Sequence, residues 1–565
     1  MFKKIFSFLI ASMGILVAHA QTATFSSFTY TGRDSRFNVR IDPKTQYLNP
    51  IISGYYPDPT ILHVGDTYWL ANSSFGYFPG VPLFKSKDLM NWTQVGSILN
   101  RPSQLNLKNA DIATGGIYAP HLSYNPKNKT YYMTTMNMST FQVFYVTSKN
   151  PEKGWSEPVQ MKYGGMDTSF LFDKDGKAWV VYNTRPFDKN LPPSVMAIHM
   201  NEFDWRNDSI KPQTWELATT SGAMNPSVWI EGPHLYHIGK YYYLMCAEGG
   251  TGHTHSEVIF RSKKITGPYE SFNGNPILTQ RDLSDTANDN PVCCAGHADL
   301  VHTKEGKWFV VFLGCRPYEF DTYNTGRETF LLPVTWKDGW PIILEKGKRV
   351  PTVVNPPSTR STSSVSFPET LPQLQPPTTG NFTFTDDFKN GIGPEWLYLR
   401  NPEKSNYKTS KGISITPTSA TLSGKDSPSA IFFRQKNTDF TAETVLTFIP
   451  KDSAIAGITA FQNEKNHLVL GKTLLGGKPA IVLTMTKDGK TNVIASTLLS
   501  DTKASKPIKL RIDGDDRYYS FSYAVDNGEV LTLSKGVDCK CLSTIYSGGF
   551  VGTTLGLYTS LKNNE

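Results

Sequence analysis

Three carboxylates and an imidazole stand at matching points of a repeat. Each copy is a hairpin: a polar start, an apolar run, a Gly or Asn turn, and an aromatic return. The five copies are opened by Asp58-Pro-Thr-Ile-Leu, Ala119-Pro-His-Leu-Ser, Asp167-Thr-Ser-Phe-Leu, Glu231-Gly-Pro-His-Leu and His297-Ala-Asp-Leu-Val. Aligned on their turns, the leading positions are Asp58, Ala119, Asp167, Gly232 (with Glu231 just before it) and His297. Inverting cleavage of a glycosidic bond needs one carboxylate to activate water and one protonated carboxyl for the leaving oxygen, about 6.5–9.5 Å apart. A third carboxylate beside the acid raises its pKa by like-charge repulsion and orients it. The longer Glu231 suits the acid, since it reaches farther toward the leaving group. Any one Asp in such a turn reads as a strand cap. Three at equivalent repeat positions read as a site.

The elements that bring them together follow from the repeat. A hairpin recurring at roughly blade length is the sign of a β-propeller, whose innermost strands line a central channel. Five copies predict five blades with their leading residues at one mouth. Phe330-Leu-Leu-Pro-Val-Thr-Trp and Trp340-Pro-Ile-Ile supply the last strands, with Asp338-Gly339 as a hairpin turn between them. Before the first blade, Gln21–Asn49 reads as polar and irregular. Beyond residue 350 the chain turns rich in Pro, Ser and Thr, the composition of a connector. From about Thr383, short alternating runs such as Ala442-Glu-Thr-Val-Leu-Thr-Phe-Ile and Tyr518-Tyr-Ser-Phe-Ser-Tyr lie between turn residues. That pattern predicts an antiparallel β-sandwich. No apolar period of 3.6 persists, so helices are expected to be minor. The fold expected is all-β: residues 21–350 a five-bladed propeller, 351–380 a connector, and 381–565 a sandwich.

Residues 1–20 read as an export signal, with Lys3 and Lys4 ahead of an apolar stretch and Ala18-His-Ala20 as the cleavage site. A secreted or periplasmic protein is the expectation. No later stretch has the roughly 18 continuous apolar residues of a membrane span. The formal charge of +8 falls to +6 when Lys3 and Lys4 leave. The remaining basic residues are scattered and form no nucleic-acid footprint. Six cysteines in 565 residues are no disulfide scaffold. Cys246 and Cys315 follow aromatic strands and read first as buried free thiols, with a bridge of either to Cys293 as the second reading. No CxxC pair recurs, which argues against a structural zinc site.

Several motifs in order resemble glycoside hydrolase family 43, most closely its two-domain β-xylosidases and α-L-arabinofuranosidases. They are Asn49-Pro-Ile-Ile-Ser-Gly-Tyr-Tyr-Pro-Asp58-Pro, Phe78-Pro-Gly-Val-Pro82, Ser86-Lys-Asp-Leu-Met-Asn-Trp92, Tyr118-Ala-Pro-His121, Glu231-Gly-Pro-His234, Gly296-His297 and Gly326-Arg327-Glu328-Thr. The resemblance covers almost all of the chain after residue 20. It implies a five-bladed propeller, an inverting mechanism, Asp58 as general base, Asp167 as pKa modulator and Glu231 as general acid. Arg327 matches the family arginine that contacts sugar and carboxylates. Asp167-Thr-Ser departs from the Asp-Pro-Ser of many members, which touches the local turn and not the carboxylate. His297 resembles the channel histidine, which implies a calcium ion, or water in its place, on the propeller axis. Imidazole is an untypical calcium ligand, so the rest of the shell would be water. His253 and His255 lie in a loop with no third ligand at a recognisable spacing. His121 and His234 read as structural. No cofactor is required by this chemistry.

A sugar pocket needs a flat apolar wall beside polar donors. The candidates are Trp69, Phe75, Phe78 and Tyr118, with Phe78 first because Phe78-Pro-Gly-Val matches the family's pocket loop. The sandwich, by resemblance, is an accessory domain that packs on the propeller; a purely structural role is the first reading, with a loop lent to the pocket rim or a separate carbohydrate-binding role as the alternatives. The function expected is release of a terminal pentose, β-D-xylose ahead of α-L-arabinofuranose, from xylo-oligosaccharides or arabinose-substituted hemicellulose. The rivals are a non-catalytic sugar-binding propeller, an arabinan-directed hydrolase, and a phosphorolytic enzyme for which Arg327 alone is too little.

Overall fold

The computed structural model describes residues 21–283, 292–356 and 375–562. The expected export signal, residues 1–20, and residues 357–374 of the expected connector lie outside them. Strands dominate, and the α-helices among the described residues, Asp501–Ala504 and Thr544–Ser547, have four residues each. None is long and apolar enough to cross a membrane.

Five antiparallel sheets follow one another along residues 60–342, four of four strands and one of five. Each starts with a strand of the repeat: Thr60–Val64, His121–Asn125, Met166–Phe172, Glu231–Ile238 and Cys293–His302. These first strands touch in a closed ring, each meeting the next and the fifth returning to the first. Aromatic return strands such as Tyr241–Glu248 and Trp308–Cys315 pack one sheet on its neighbour. The fifth sheet ends in the hairpin Glu328–Lys337 and Trp340–Ile342. Asp338 (φ 53°) and Gly339 (φ 73°) both take left-handed backbone there, as a two-residue type I′ turn demands.

The seam between first and last sheets is closed without a shared strand. Tyr47–Leu48 pairs with Val353–Val354. The Asn49 side chain accepts from Leu331 N–H at 2.9 Å and donates to Leu331 C=O at 2.9 Å, copying a strand partner.

Residues 383–560 form two facing sheets around one apolar core. Here the structure corrects the expectation for the start of the chain. Ala23–Gly32 is not an irregular lead-in to the propeller. It is an interior strand of the larger sandwich sheet, antiparallel to Asp439–Thr447 on one side and to Thr383–Asp386 and Gly412–Ile415 on the other. A bulge between Phe25 and Phe28 explains why period-two reading fails. Phe25, Phe28 and Tyr30 all face the core although the first two are three residues apart.

One buried charge cluster ties these parts together. Arg316, 2% exposed, donates from Nε and Nη2 to the two oxygens of Glu328 at 2.6 and 2.9 Å. Its Nη1 donates to Asp34 at 2.7 Å, and Nη2 also reaches the Lys436 carbonyl of the sandwich at 2.8 Å. Glu328 additionally accepts from Gly54 N–H at 2.7 Å. Every lone pair of that interior cluster is well used, the condition under which a buried pair is tolerated. Replacing Arg316 by Ala strands two buried carboxylates. The expected loss is about 3–5 kcal/mol of stability, read by denaturant unfolding, and a loss under about 1 kcal/mol would show that the cluster does not hold the domains.

Candidate active site

The repeat's leading residues share more than position. Asp58 (φ 50°), Asp167 (φ 50°), Gly232 (φ 55°) and His297 (φ 53°) all take the left-handed backbone. Three non-glycine residues accept that conformation at a cost of about 1 kcal/mol or more each. The kink coincides with register shifts after Met166, Glu231 and Gly296. It turns the side chain ahead of the regular ladder toward the ring's mouth. At the fourth repeat only Gly fits, since a Cβ on Gly232 would lie 3.0 Å from the His297 ring. The carboxylate of that repeat therefore sits one residue earlier, at Glu231.

The three carboxyls meet different surroundings. Asp58 is 6% exposed, and burial alone would raise its pKa. Arg327 Nη1 donates to its Oδ1 at 3.1 Å, His297 Nδ1 lies 3.8 Å away, and Ser73 Oγ donates to Oδ2 at 2.6 Å. Together they hold Asp58 below its ordinary value, so it stays ionised. Burial and then the Asp58 charge push Asp167 upward, against the pull of His297 and of the Gly232 N–H that donates to it at 3.1 Å. Glu231 is pushed up to about 8 by burial, then by Asp167 and Asp58. Its carboxyl has no hydrogen-bond partner among the described residues, which leaves its proton free for a ligand.

Arg327 is buried and spans both domains. Its Nη2 donates to the Phe550 carbonyl of the sandwich at 3.4 Å, and its guanidinium lies 5.2 Å from the Phe550 ring and 5.7 Å from Phe75. Phe75 stacks on Phe550 at 5.7 Å, and Tyr118 meets both edge-on at 5.4 and 5.7 Å. The sandwich loop is held close by the touching glycines Gly326 and Gly552, where a Cβ on Gly326 (φ 74°) would come within 2.8 Å of the Gly552 backbone.

Two expected wall residues are elsewhere. Phe78, 2% exposed, and Trp69, 6% exposed, pack in an apolar cluster with Val81, Leu83 and Leu99. Phe78 pairs through its backbone with Tyr398 of the sandwich, and Trp69 meets Tyr131 edge-on. Phe75, three residues earlier and 1% exposed, is also core, and the half-buried aromatics beside Arg327 are Tyr118 and Phe550. Sequence reading missed Ser73 and Phe550. The hydroxyl pair Ser73-Ser74 beside Phe75 was a usable signal. Nothing in the sequence links Gly548-Gly549-Phe550 to Asp58.

His253 and His255 do not pair as ligands. The His255 Nδ1 bonds the Cys294 carbonyl at 2.8 Å, while His253 lies 3.5 Å from Asp321. His121 and His234 stack at 4.9 Å within 4.8 Å reach of Asp299.

Comparison with known proteins agrees with this architecture. The model of Glycosyl hydrolases family 43 matches residues 47–341, and that of the Beta xylosidase C-terminal Concanavalin A-like domain matches 385–565. The non-reducing end alpha-L-arabinofuranosidase BoGH43B of Bacteroides ovatus is 34% identical over 93% of this chain and 93% of its own. A xylosidase/arabinosidase of Butyrivibrio fibrisolvens is 35% identical over 91% of this chain and 95% of its own. A crystal structure of a GH43_12 protein from a capybara gut metagenome superimposes with a TM-score of 0.87 at 38% identity, covering 96% of this chain and all of that one. With its carboxylate pocket and both domains matched, the chain belongs to glycoside hydrolase family 43 and is a glycoside hydrolase.

Proposed function

We propose that the enzyme is an inverting exo-pentosidase that removes terminal β-D-xylose, and α-L-arabinofuranose as a second substrate, from hemicellulose oligosaccharides. In this reading the five sheets are the blades of one propeller, with the pocket at one end of its axis. The observation that carries the proposal is the opposite tuning of two carboxyls in one pocket: Asp58 held ionised, Glu231 held protonated to about pH 8. Asp58 takes a proton from water as that water attacks the anomeric carbon. Glu231 gives its proton to the leaving oxygen, which departs as an alcohol. Asp167 sustains the Glu231 proton by its charge and is a positioning residue. Arg327 donates to Asp58 and offers its remaining N–H groups to sugar hydroxyls, while Tyr118 and Phe550, backed by the buried Phe75, meet the apolar ring face.

Phe550 is also the reason to favour exo cleavage. A loop from the second domain stands against one wall and leaves less room for a chain running through the pocket. The named relatives include arabinofuranosidase and xylosidase activities, which favours a pocket accepting both sugars and argues against an arabinan-directed endo enzyme.

The channel behind the pocket leaves both ring nitrogens of His234, Nε2 of His255 and one oxygen of Glu257 buried without a protein partner. Such atoms call for water. Calcium fits only through water, because imidazoles outnumber the free oxygen. His297 would then face the ion's water shell, and the ion would supply a fixed positive field near Asp58. The residues 1–20 signature supports export, so the substrates would be fragments met outside the cytoplasm.

Turnover should depend on Asp58 absolutely. Asp58→Asn is expected to lower kcat at least about 10³-fold while retaining sugar binding, and Glu231→Gln to spare aryl pentosides with good leaving groups. Proton NMR of the first sugar released should show the inverted anomer, and near-normal hydrolysis by Asp58→Asn would overturn the base assignment. Because Glu231 must be protonated, kcat/KM should fall as pH rises through about 8. Asp167→Asn removes a neighbouring negative charge, so that basic limb should move to lower pH. A limb that stays put or moves up would remove Asp167 from its role. Paired aryl β-xyloside and α-L-arabinofuranoside should both turn over, with xylo-oligosaccharides shortened one unit at a time. A ladder of internal fragments with little monomer would sink the exo reading.

A further inference from the structure

Outside the pocket, the described residues hold a cluster the mechanism does not use. Cys293, Cys294 and Cys315 place their sulfurs within 4.8 Å of one another, all buried, with 3.5 Å between the first two. Spacing along the chain argued against zinc, but strand register does what spacing hides. Cys293 sits directly opposite Cys315 in the antiparallel pair Cys293–His302 and Trp308–Cys315. Cys294 takes a left-handed backbone (φ 57°) just before the register shift, which accommodates its sulfur beside Cys293.

A fourth donor approaches. The Asp321 Oδ1 is buried with no hydrogen-bond partner, 3.5 Å from His253 Nδ1. The buried Tyr323 packs against the three cysteines and closes the group. A tetrahedral ion with Zn–S bonds of about 2.3 Å requires sulfurs roughly 3.8 Å apart. The three sulfurs, within 4.8 Å of one another, are near that spacing, and the Asp321 carboxylate must swing in to complete the shell. Simple apolar packing would explain three thiols but not a buried, unpaired carboxylate oxygen on the adjoining loop. A disulfide between Cys293 and Cys315 would use two sulfurs and leave the third, and the oxygen, without a role.

We propose that Cys293, Cys294, Cys315 and Asp321 form a structural zinc(II) site. Binding displaces the thiol protons to solvent, leaving three thiolates and a carboxylate on the ion. The ion would staple the start of the strand carrying His297, the end of its partner, and the loop that leads to Arg327. Its effect is therefore on the stability of the pocket's support and not on a catalytic step.

The test uses the full chain, purified under reductant, stripped with a chelator and checked in denaturant for six free thiols. Dialysis against buffered zinc should leave about one ion per chain by elemental analysis and raise Tm by several degrees. Cobalt(II) in its place should give strong thiolate charge-transfer bands and the intense visible bands of a tetrahedral site. Cys315→Ser should lose the ion and the Tm response, Asp321→Asn should weaken binding and shift the cobalt bands, and Cys541→Ser should keep both. Should Cys315→Ser fail to fold, the wild-type cobalt spectrum decides alone. Reduced, folded wild type that binds no zinc, an octahedral cobalt spectrum, or a Cys293–Cys315 disulfide that persists under reductant would each overturn the proposal.

Discussion

A guanidinium pinned between two domains sets the state of this pocket. Arg327 meets Asp58 on one side and the Phe550 carbonyl on the other. Its charge stabilises the Asp58 anion in a buried place where that anion alone would be costly. Once Asp58 keeps its charge, like-charge repulsion and burial lift Asp167 and Glu231. The Glu231 proton is thus owed first to burial and then to the neighbouring Asp167 and Asp58 charges, against a direct downward pull from Arg327. Glu328, the next residue, is fixed by Arg316 in a fork of two bonds, so the backbone at Arg327 has little freedom to shift.

The left-handed residues that open the strands are the second half of the same design. A regular strand would send its side chains alternately to the two faces of its sheet, toward the neighbouring sheets. A kink near the start of the regular ladder, marked by a register shift in three of the strands, lets Asp58, Asp167, Glu231 and His297 approach one another. Repeating that device on four strands gathers groups from residues far apart in sequence. Its cost in backbone strain is offset by the surrounding sheets, whose packed hydrophobic clusters leave the strand ends no alternative path.

Much of this was legible in the sequence because it is local. The five hairpins, the Asp338-Gly339 turn, the alternating runs of the sandwich and the aligned carboxyls each reveal themselves within some ten residues. What escaped depends on register or on distant contacts. Ala23–Gly32 looked irregular because a bulge breaks its alternation, and its partners lie some 350–420 residues later. Phe75 and Phe78 share one aromatic loop, and both rings are buried, in two different clusters, a division that only the long-range packing decides. Cys293 and Cys315 become neighbours by strand pairing, which no count along the chain displays. Phe550 reaches the pocket from the other domain.

The chain's two ends therefore share responsibility for one site. The sandwich that presents Phe550 contains the strand Ala23–Gly32 at its centre, and that strand waits for Asp439–Thr447 to be made before it can pair. Long loops cost little extra entropy per added residue, but pairing across such a span is slow compared with local hairpins. The propeller sheets, each built from neighbours in sequence, can form first and bring the carboxyls together. The Phe550 ring, and the carbonyl that holds the far side of Arg327, arrive only with the sandwich. Completion of the pocket is thereby coupled to completion of the whole fold, so a chain truncated at either end would keep the Asp58, Asp167 and Glu231 carboxyls yet lack the Phe550 contact that holds Arg327 beside them.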